Sequence, residues 1–563
     1  MSDSRPLPTG GSMIHPELAE RSDRFHTAHY ARFQALSAFE KVMIVIGLGL
    51  ATSMEIGTTM AINVILPDMQ GNVGASADEI SWAITIYSTA FLCSLPLSLS
   101  LARKFGHRNH ILLSIALYAL GATGSFLSHE LWMLLCSRAV MGIGGGPLLV
   151  RSLTTLYRLA QGKARAQYFL LFGTVVLVFR TVMPVLFGLI TDSFIWNVAF
   201  LLIIPIAFAS AVLIYTYLPE SVQVEVEPAR PDLAGIGLLL AGVTAFQIIA
   251  SCGEQDDWFG SPHLRIVFVI GLFALAGLVW RESDHKNSNP LLNLRLIATH
   301  RTLCAGLGIA VVFGAVLGGG LYVLPQYLRT IQVYNATQTG GFLFVDGLAS
   351  LAGFYLMLKL LSHVDLFYLD LAALILFISG NVAFVNVLTG DTPGAVICMV
   401  LVLHGVSTAM LLPGVSLLIL PQIDIRFISF GAAIYYFFRQ LGTSIGVSAV
   451  VTLVDIRQTL HSSRLLDTAN RLNPRVTHVA QLFGGLLHRD GLAVNASSLG
   501  ADQLFSVLVS SQARLLAFID AYWALQILGL AGMVLLLIRR GLIGAAGEAP
   551  ASVVERAPVA SHL

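Results

Sequence analysis

Five charged side chains stand inside otherwise apolar stretches: Glu55, Arg138, Arg180, Asp346 and Arg439. At the centre of a lipid-spanning helix such a group costs at least about 2.5–3.5 kcal/mol, so each is a candidate for function. Glu55 is followed by Thr58, Thr59 and Asn63, at three-, four- and eight-residue spacing on one helical face. Burial works against the charged form of a carboxylate, and a nearby guanidinium works for it. A group held between those pulls can load and release a proton. A structural ion pair and a substrate contact are the other readings of Glu55. Arg138 stays charged, and either pairs with an acid and sets its titration or hydrogen-bonds loop carbonyls. Asp346, in FLFVDGLASL, is a second proton carrier or a counter-charge for substrate. Arg439 heads a polar stripe with Tyr435, Tyr436, Gln440 and Thr443. Rings beside a cation and an amide can hold an amphipathic molecule; helix packing is the competing reading. Glu55, Arg138 and Asp346 thus form the expected proton-coupling set, and Thr58, Asn63, Arg180, Arg439, Tyr435, Tyr436 and Gln440 the expected substrate-binding set. His404, alone in its span, reads as a satisfied core histidine. Gly142, Gly145 and Gly146 read as packing positions for closely approaching helices.

The elements that position these groups are membrane helices. The chain has 563 residues, 56% hydrophobic and 12% charged, against about 25% charged in soluble domains. Apolar runs of 18 or more residues can each cross a hydrocarbon core of about 30 Å, where every backbone polar group must be satisfied within the segment. Spans are expected near 42–66, 80–101, 110–128, 131–150, 167–190 and 197–218, then 233–252 and 265–281, then 303–325, 339–361, 366–388, 392–419, 427–452 and 516–538. That is about fourteen helices, as six, two and six. At 1.5 Å per residue, all five buried charges fall roughly 10–12 Å below the outer edge of the core, which suggests one shared polar cavity.

The connecting loops alternate in charge. Arg103, Lys104 and Arg108, then Arg151, Arg158, Lys163 and Arg165, then Arg281, Lys286, Arg295 and Arg301 mark cytoplasmic loops. Asp68, Asp78 and Glu79, then Glu130, Asp192, Glu254, Asp256 and Asp257, lie between them. Both termini are therefore expected in the cytoplasm. The polar lead of about 40 residues is no signal peptide. The expected units are a cytoplasmic tail (1–41), a six-helix bundle (42–218), a linker with two spans (219–302), a second six-helix bundle (303–540) and a tail (541–563). Within the second bundle, 454–515 reads as amphipathic helix and loop on the periplasmic side, either a plain surface segment or a docking surface for a periplasmic partner. Net charge is +1, which gives no steering toward nucleic acid. Cys93, Cys136, Cys252, Cys304 and Cys398 lie in apolar runs without metal-ligand spacing and read as small buried hydrophobes.

Several motifs add a family resemblance. LARKFGHRNHIL (101–112) resembles the loop between helices two and three of the major facilitator superfamily, SRAVMGIGGGP (137–147) its arginine-centred helix-four motif, and INVILP (62–67) the end of its helix-one motif. The extra central pair, with DDWFGS (256–261), NPLLNLRL (289–296), LPQYL (324–328) and FFRQLGTSIG (437–446), resembles the fourteen-helix branch of EmrB/QacA-type drug–proton antiporters. The resemblance spans roughly residues 45–540. It implies two six-helix bundles around a midplane site, drug:proton antiport across a bacterial inner membrane, and work with a periplasmic adaptor (a membrane fusion protein) and an outer-membrane channel. There are departures. Thr58 stands where the helix-one motif usually has an acid, with Glu55 three residues earlier. RTVMPVLFG (180–188) keeps only Pro184 and Gly188 of the helix-five antiporter motif. Arg103 replaces a common acid.

The leading expectation is a proton-driven exporter of amphipathic compounds. Three membrane arginines against two acids leave open a proton-coupled carrier of an organic anion. A transporter-derived sensor is the remote alternative. An enzyme is not expected, because HxxxH, HExxH and P-loop patterns are all missing. No cofactor and no metal are expected.

Overall fold

The computed structural model describes residues 33, 35–159, 162–220, 232–253, 258–284, 301–419, 428–468, 474–489 and 494–545. The tails, the acidic stretch 254–257 and NPLLNLRL (289–296), with most of the basic loop around it, lie outside the described residues.

The described chain is all-helical, as the apolar runs require. The first half comprises α1 (Ala38–Val73), α2 (Ala77–Phe105), α3 (His107–Phe126), α4 (Leu131–Leu159), α5 (Gly162–Ser193) and, after a 3-10 turn (Trp196–Leu202), α6 (Ile203–Tyr217). The central pair is α7 (Leu233–Cys252) and α8 (Pro262–Ser283). The second half comprises α9 (Arg301–Thr330), α10 (Ala336–Leu360), α11 (Leu366–Val387), α12 (Gly394–Ile419), α13 (Ile428–Thr468), α14 (Pro474–Arg489) and α15 (Val494–Ala545). Thirteen of these are long and apolar enough to cross a membrane. The fourteenth crossing is α3, whose 20 residues open on the polar HRNH. It tolerates that start because protein surrounds it: His107 and His110 are buried, and His107 Nε2 lies 2.6 Å from Thr155 Oγ1 of α4.

Local chemistry sets several starts. Ser37 with Glu40, Ser76 with Glu79, and Asn335 with Gln338 form reciprocal capping boxes that satisfy backbone N–H groups otherwise left open at α1, α2 and α10. Asp232 caps α7 and also accepts from Arg281 Nε of α8 at 2.7 Å, tying the central pair together.

The two halves repeat one packing pattern. In the first, α1 packs on α5 and α6, and α4 holds α2 and α3; in the second, α9 packs on α13 and α15, and α12 holds α10 and α11. The halves meet where α5 lies against α10 and α2 against α13. On α10, Gly340 faces the backbone of Pro184 and Val185, and Gly347 faces Thr181; a Cβ at either would collide. Small residues bring helices this close in lipid, where apolar side chains gain nothing by leaving hydrocarbon.

Three expectations need correction. Of the five cysteines read as small buried hydrophobes, only Cys93 and Cys252 are buried; Cys136 and Cys304 are exposed and Cys398 is partly so. Arg151, read as a cytoplasmic loop residue, lies inside α4, 4% exposed, donating to Ser98 Oγ at 3.0 Å and Ser98 O at 2.7 Å on α2. Its polar partners on α2 let α4 continue past the expected end. The segment 454–515, read as amphipathic helix and loop, is helical in every described residue. α13 and α15, of 41 and 52 residues, measure about 62 and 78 Å, roughly twice a hydrocarbon core. Each is therefore longer than a single crossing needs, with α14 packed against α15 where α13 ends and α15 begins. His461 Nε2 bonds Asp520 Oδ2 at 2.9 Å and Arg457 Nε lies 3.6 Å from the same oxygen, so polar pairs hold the two stems together.

Candidate transport site

The structure brings the buried charges together in two groups. The first belongs to the first half. Glu55, 7% exposed on α1, accepts from Thr59 Oγ1 one turn along and from Tyr87 Oη of α2, both at 3.4 Å. The guanidinium of Arg138, 1% exposed on α4, stacks 4.3 Å from the centre of the Tyr87 ring, and its Nε donates to the Ala83 carbonyl at 3.2 Å. Among the described residues no carboxylate lies within ion-pair distance of Arg138; it meets Glu55 through Tyr87. Gly145 lies beside this assembly, where a Cβ would stand 3.2 Å from Tyr87 Oη and 3.3 Å from Glu55 Cγ. From the second half, Arg439 on α13 is the cation nearest in influence to Glu55, though the two are not within ion-pair distance. Its guanidinium sits 5.1 Å from the centre of the Tyr436 ring, and Tyr436 meets Tyr435 edge-on at 4.8 Å. Arg439 Nε has no hydrogen-bond partner among the described residues, which leaves a cationic donor beside an aromatic pair.

The second group crosses the boundary between halves. Arg180 on α5 donates through Nη1 to Ser350 Oγ at 2.8 Å, and its Nη2 lies 3.4 Å from Asp346 Oδ2, both partners on α10. Asp346 Oδ1 lies 2.8 Å from His404 Nδ1 of α12; facing a carboxylate, that nitrogen carries the proton. Ser350 Oγ donates to the Gly405 carbonyl at 3.1 Å. Pro184 contributes to the same place, because its missing N–H leaves the Arg180 carbonyl without its usual helical donor.

Thr58 Oγ1 donates to Met54 O at 2.6 Å and Asn63 Nδ2 to Thr59 O at 3.2 Å, both within α1. Gln440 stands half-buried on α13. His404, set aside in the sequence as a core histidine, is satisfied, but by the one acid on α10 that faces the other half. Its signal was weak because a neutral imidazole in an apolar run reads as packing. Tyr87 and Ser350 carry no charge and gave no signal.

At the distal ends the halves are joined again. Arg329 Nη2 of α9 meets Asp68 Oδ2 of α1 at 2.7 Å, and Asp192 Oδ2, at the end of α5, accepts from Thr337 N in the first turn of α10 at 2.8 Å. A carboxylate is well placed at a helix N-terminus.

Two repeated six-helix bundles, a glycine-lined seam and charges buried at that seam define a membrane transporter and not an enzyme. The Major Facilitator Superfamily model matches residues 48–447, and the chain belongs to that family. It is 28% identical over 463 residues to the multidrug export protein EmrB of Escherichia coli strain K12, covering 80% of this chain and 87% of that one. It is 26% identical over 424 residues to the fatty acid resistance protein FarB of Neisseria gonorrhoeae, covering 75% and 83%. The fold resembles the crystal structure of a bacterial homologue of the human lysosomal transporter Spinster, at 11% identity and a TM-score of 0.55, over 92% of this chain and all of that one.

Proposed function

We propose that this protein exports amphipathic compounds from the cell in exchange for protons. Glu55 is the proton-coupling acid and Arg180–Asp346–His404 the charged junction through which the halves sense one another. The observation that carries the reading is the charge set at the seam: Arg180 reaches Asp346 across it at 3.4 Å, and Glu55 lies buried on the first half beside Tyr87 and Arg138. Antiport requires that proton and substrate bias the same two-state equilibrium, and an acid whose counter-charge sits on the opposite bundle has that property. The aromatic pair Tyr435–Tyr436 beside Arg439 supplies a surface for a flat or amphipathic molecule. The export names of EmrB and the resistance name of FarB support the direction. The alternating loop charges support a bacterial inner membrane with both termini cytoplasmic, and the long α13–α15 stems support a periplasmic adaptor and outer-membrane channel as partners.

Profiling a deletion strain against an overexpressing strain tests the reading. Overexpression is expected to raise tolerance to lipophilic compounds and lower their accumulation. Changes confined to uptake of organic anions would favour the anion-carrier reading.

A further inference from the structure

One buried acid belongs to neither charged group. Asp370 is the fifth residue of α11 and is 2% exposed. Among the described residues neither of its carboxyl oxygens has a hydrogen-bond partner. It borders a small cavity of about 20 Å³ within the second bundle, walled by Phe313 of α9, Leu411 and Leu418 of α12, and Leu536 of α15, whose exposed wall is wholly apolar. The backbone of α12 presses directly on the acid, since a Cβ on Gly414 would strike Asp370 Oδ1.

The charged and titratable neighbours are few. Arg539 of α15 acts on Asp370 from a distance, but its Nη2 donates to the Leu418 carbonyl at 3.0 Å and its Nε is unpartnered. On α13, Tyr435 is the titratable group on which Asp370 acts. Asp365, at the start of α11, lies 3.9 Å from Arg540. Neither α9 nor α12 brings a charged residue to the cavity. An ionised carboxylate without a donor in such surroundings costs far more than the neutral acid.

We propose that Asp370 is a second proton-binding site, lying inside the second bundle and apart from the substrate route. The cavity is too small for an organic ligand, and its apolar wall offers a water no set of polar partners. Its apolar wall cannot supply the six or more oxygens a Ca²⁺ ion takes. The ligand is therefore a proton. When the bundle rearranges and brings the acid onto Arg539, the O–H bond breaks and the proton passes to water at the face where α11 begins and α15 ends. The electron pair stays on the carboxylate, whose charge the guanidinium then balances. Asp370 is buried, Arg539 is half-buried, and the two are not bonded to each other, which is the arrangement this exchange needs.

The site rests on the transport reading only for its role; the site itself is tested without substrate. Infrared difference spectra of the full-length protein in nanodiscs, neutral against alkaline, report protonated carboxyl C=O stretches. Asp370→Asn is expected to remove one such band present at neutral pH, and Glu55→Gln to leave that band in place, so the two acids are read separately. Gly414→Ala keeps the acid but crowds it, and is expected to shift the same band, which covers the case in which Asp370→Asn does not fold. Asp370→Asn spectra that retain every protonated-carboxyl band, or a Gly414→Ala variant that moves none, would overturn the proposal.

Discussion

At the scale of single residues, Arg180 and Asp346 are the most exacting test. Each is about one-tenth exposed at the side chain, and removing one partner of a buried pair typically costs about 3–5 kcal/mol because the other charge is stranded. Asp346→Asn and Arg180→Met are each expected to destabilise the purified protein. The double variant should lose less than the sum, with a coupling of about 0.5–3 kcal/mol in a thermal or denaturant cycle. Additive losses would mean that the two charges do not act on each other. The sequence exposed both residues, because an isolated charge in an apolar run has a cost that needs explaining. Their pairing was not legible: the partners lie 166 positions apart, and spacing carries no information across two bundles. Asp370 escaped for the opposite reason. Four residues from a span end it reads as a boundary charge, and only the packing of α12 and α15 shows that it is sealed.

At the scale of elements, the α5–α10 seam makes a prediction of opposite signs at adjacent glycines. A Cβ on Gly340 would stand 2.6 Å from the Pro184 carbonyl oxygen, whereas one on Gly341 meets nothing within 4 Å. Gly340→Ala should destabilise by about 1–3 kcal/mol and slow transport by prising the halves apart. Gly341→Ala should be neutral or stabilise by up to about 1 kcal/mol, since alanine suits a helix better than glycine. Equal effects at both positions would mean that the seam is looser than described. The stems of α13 and α15 make another. Removing the distal helical segment around α14 should abolish efflux in whole cells if an adaptor docks there, while transport in proteoliposomes survives. Loss of both would make the segment a support for the fold. The span pattern was legible because hydropathy alone forces membrane helices. The stems were not, because polar residues outside lipid fit a loop or an exposed helix equally well, and pairs such as His461–Asp520 decide between them.

At the scale of the whole molecule, the repeated packing of α1–α6 and α9–α15 makes the seam the natural place for an alternating change of access. In this state the seam is fastened distally by Arg329–Asp68 and Asp192–Thr337, and deeper by Arg180–Asp346. A cysteine placed at Arg165 should resist labelling from outside intact cells and one at Leu499 should label; the reverse would invert the orientation. The central claim, that Glu55 carries the coupling proton, is tested most directly in proteoliposomes under an imposed pH gradient, using a compound to which overexpression confers tolerance. Wild-type protein should accumulate that compound against its gradient. Glu55→Gln keeps the size and the hydrogen bonding of the side chain but cannot titrate, and it should exchange the compound across the membrane at a rate near that of the wild type without concentrating it. Accumulation by Glu55→Gln at the wild-type rate would contradict the account.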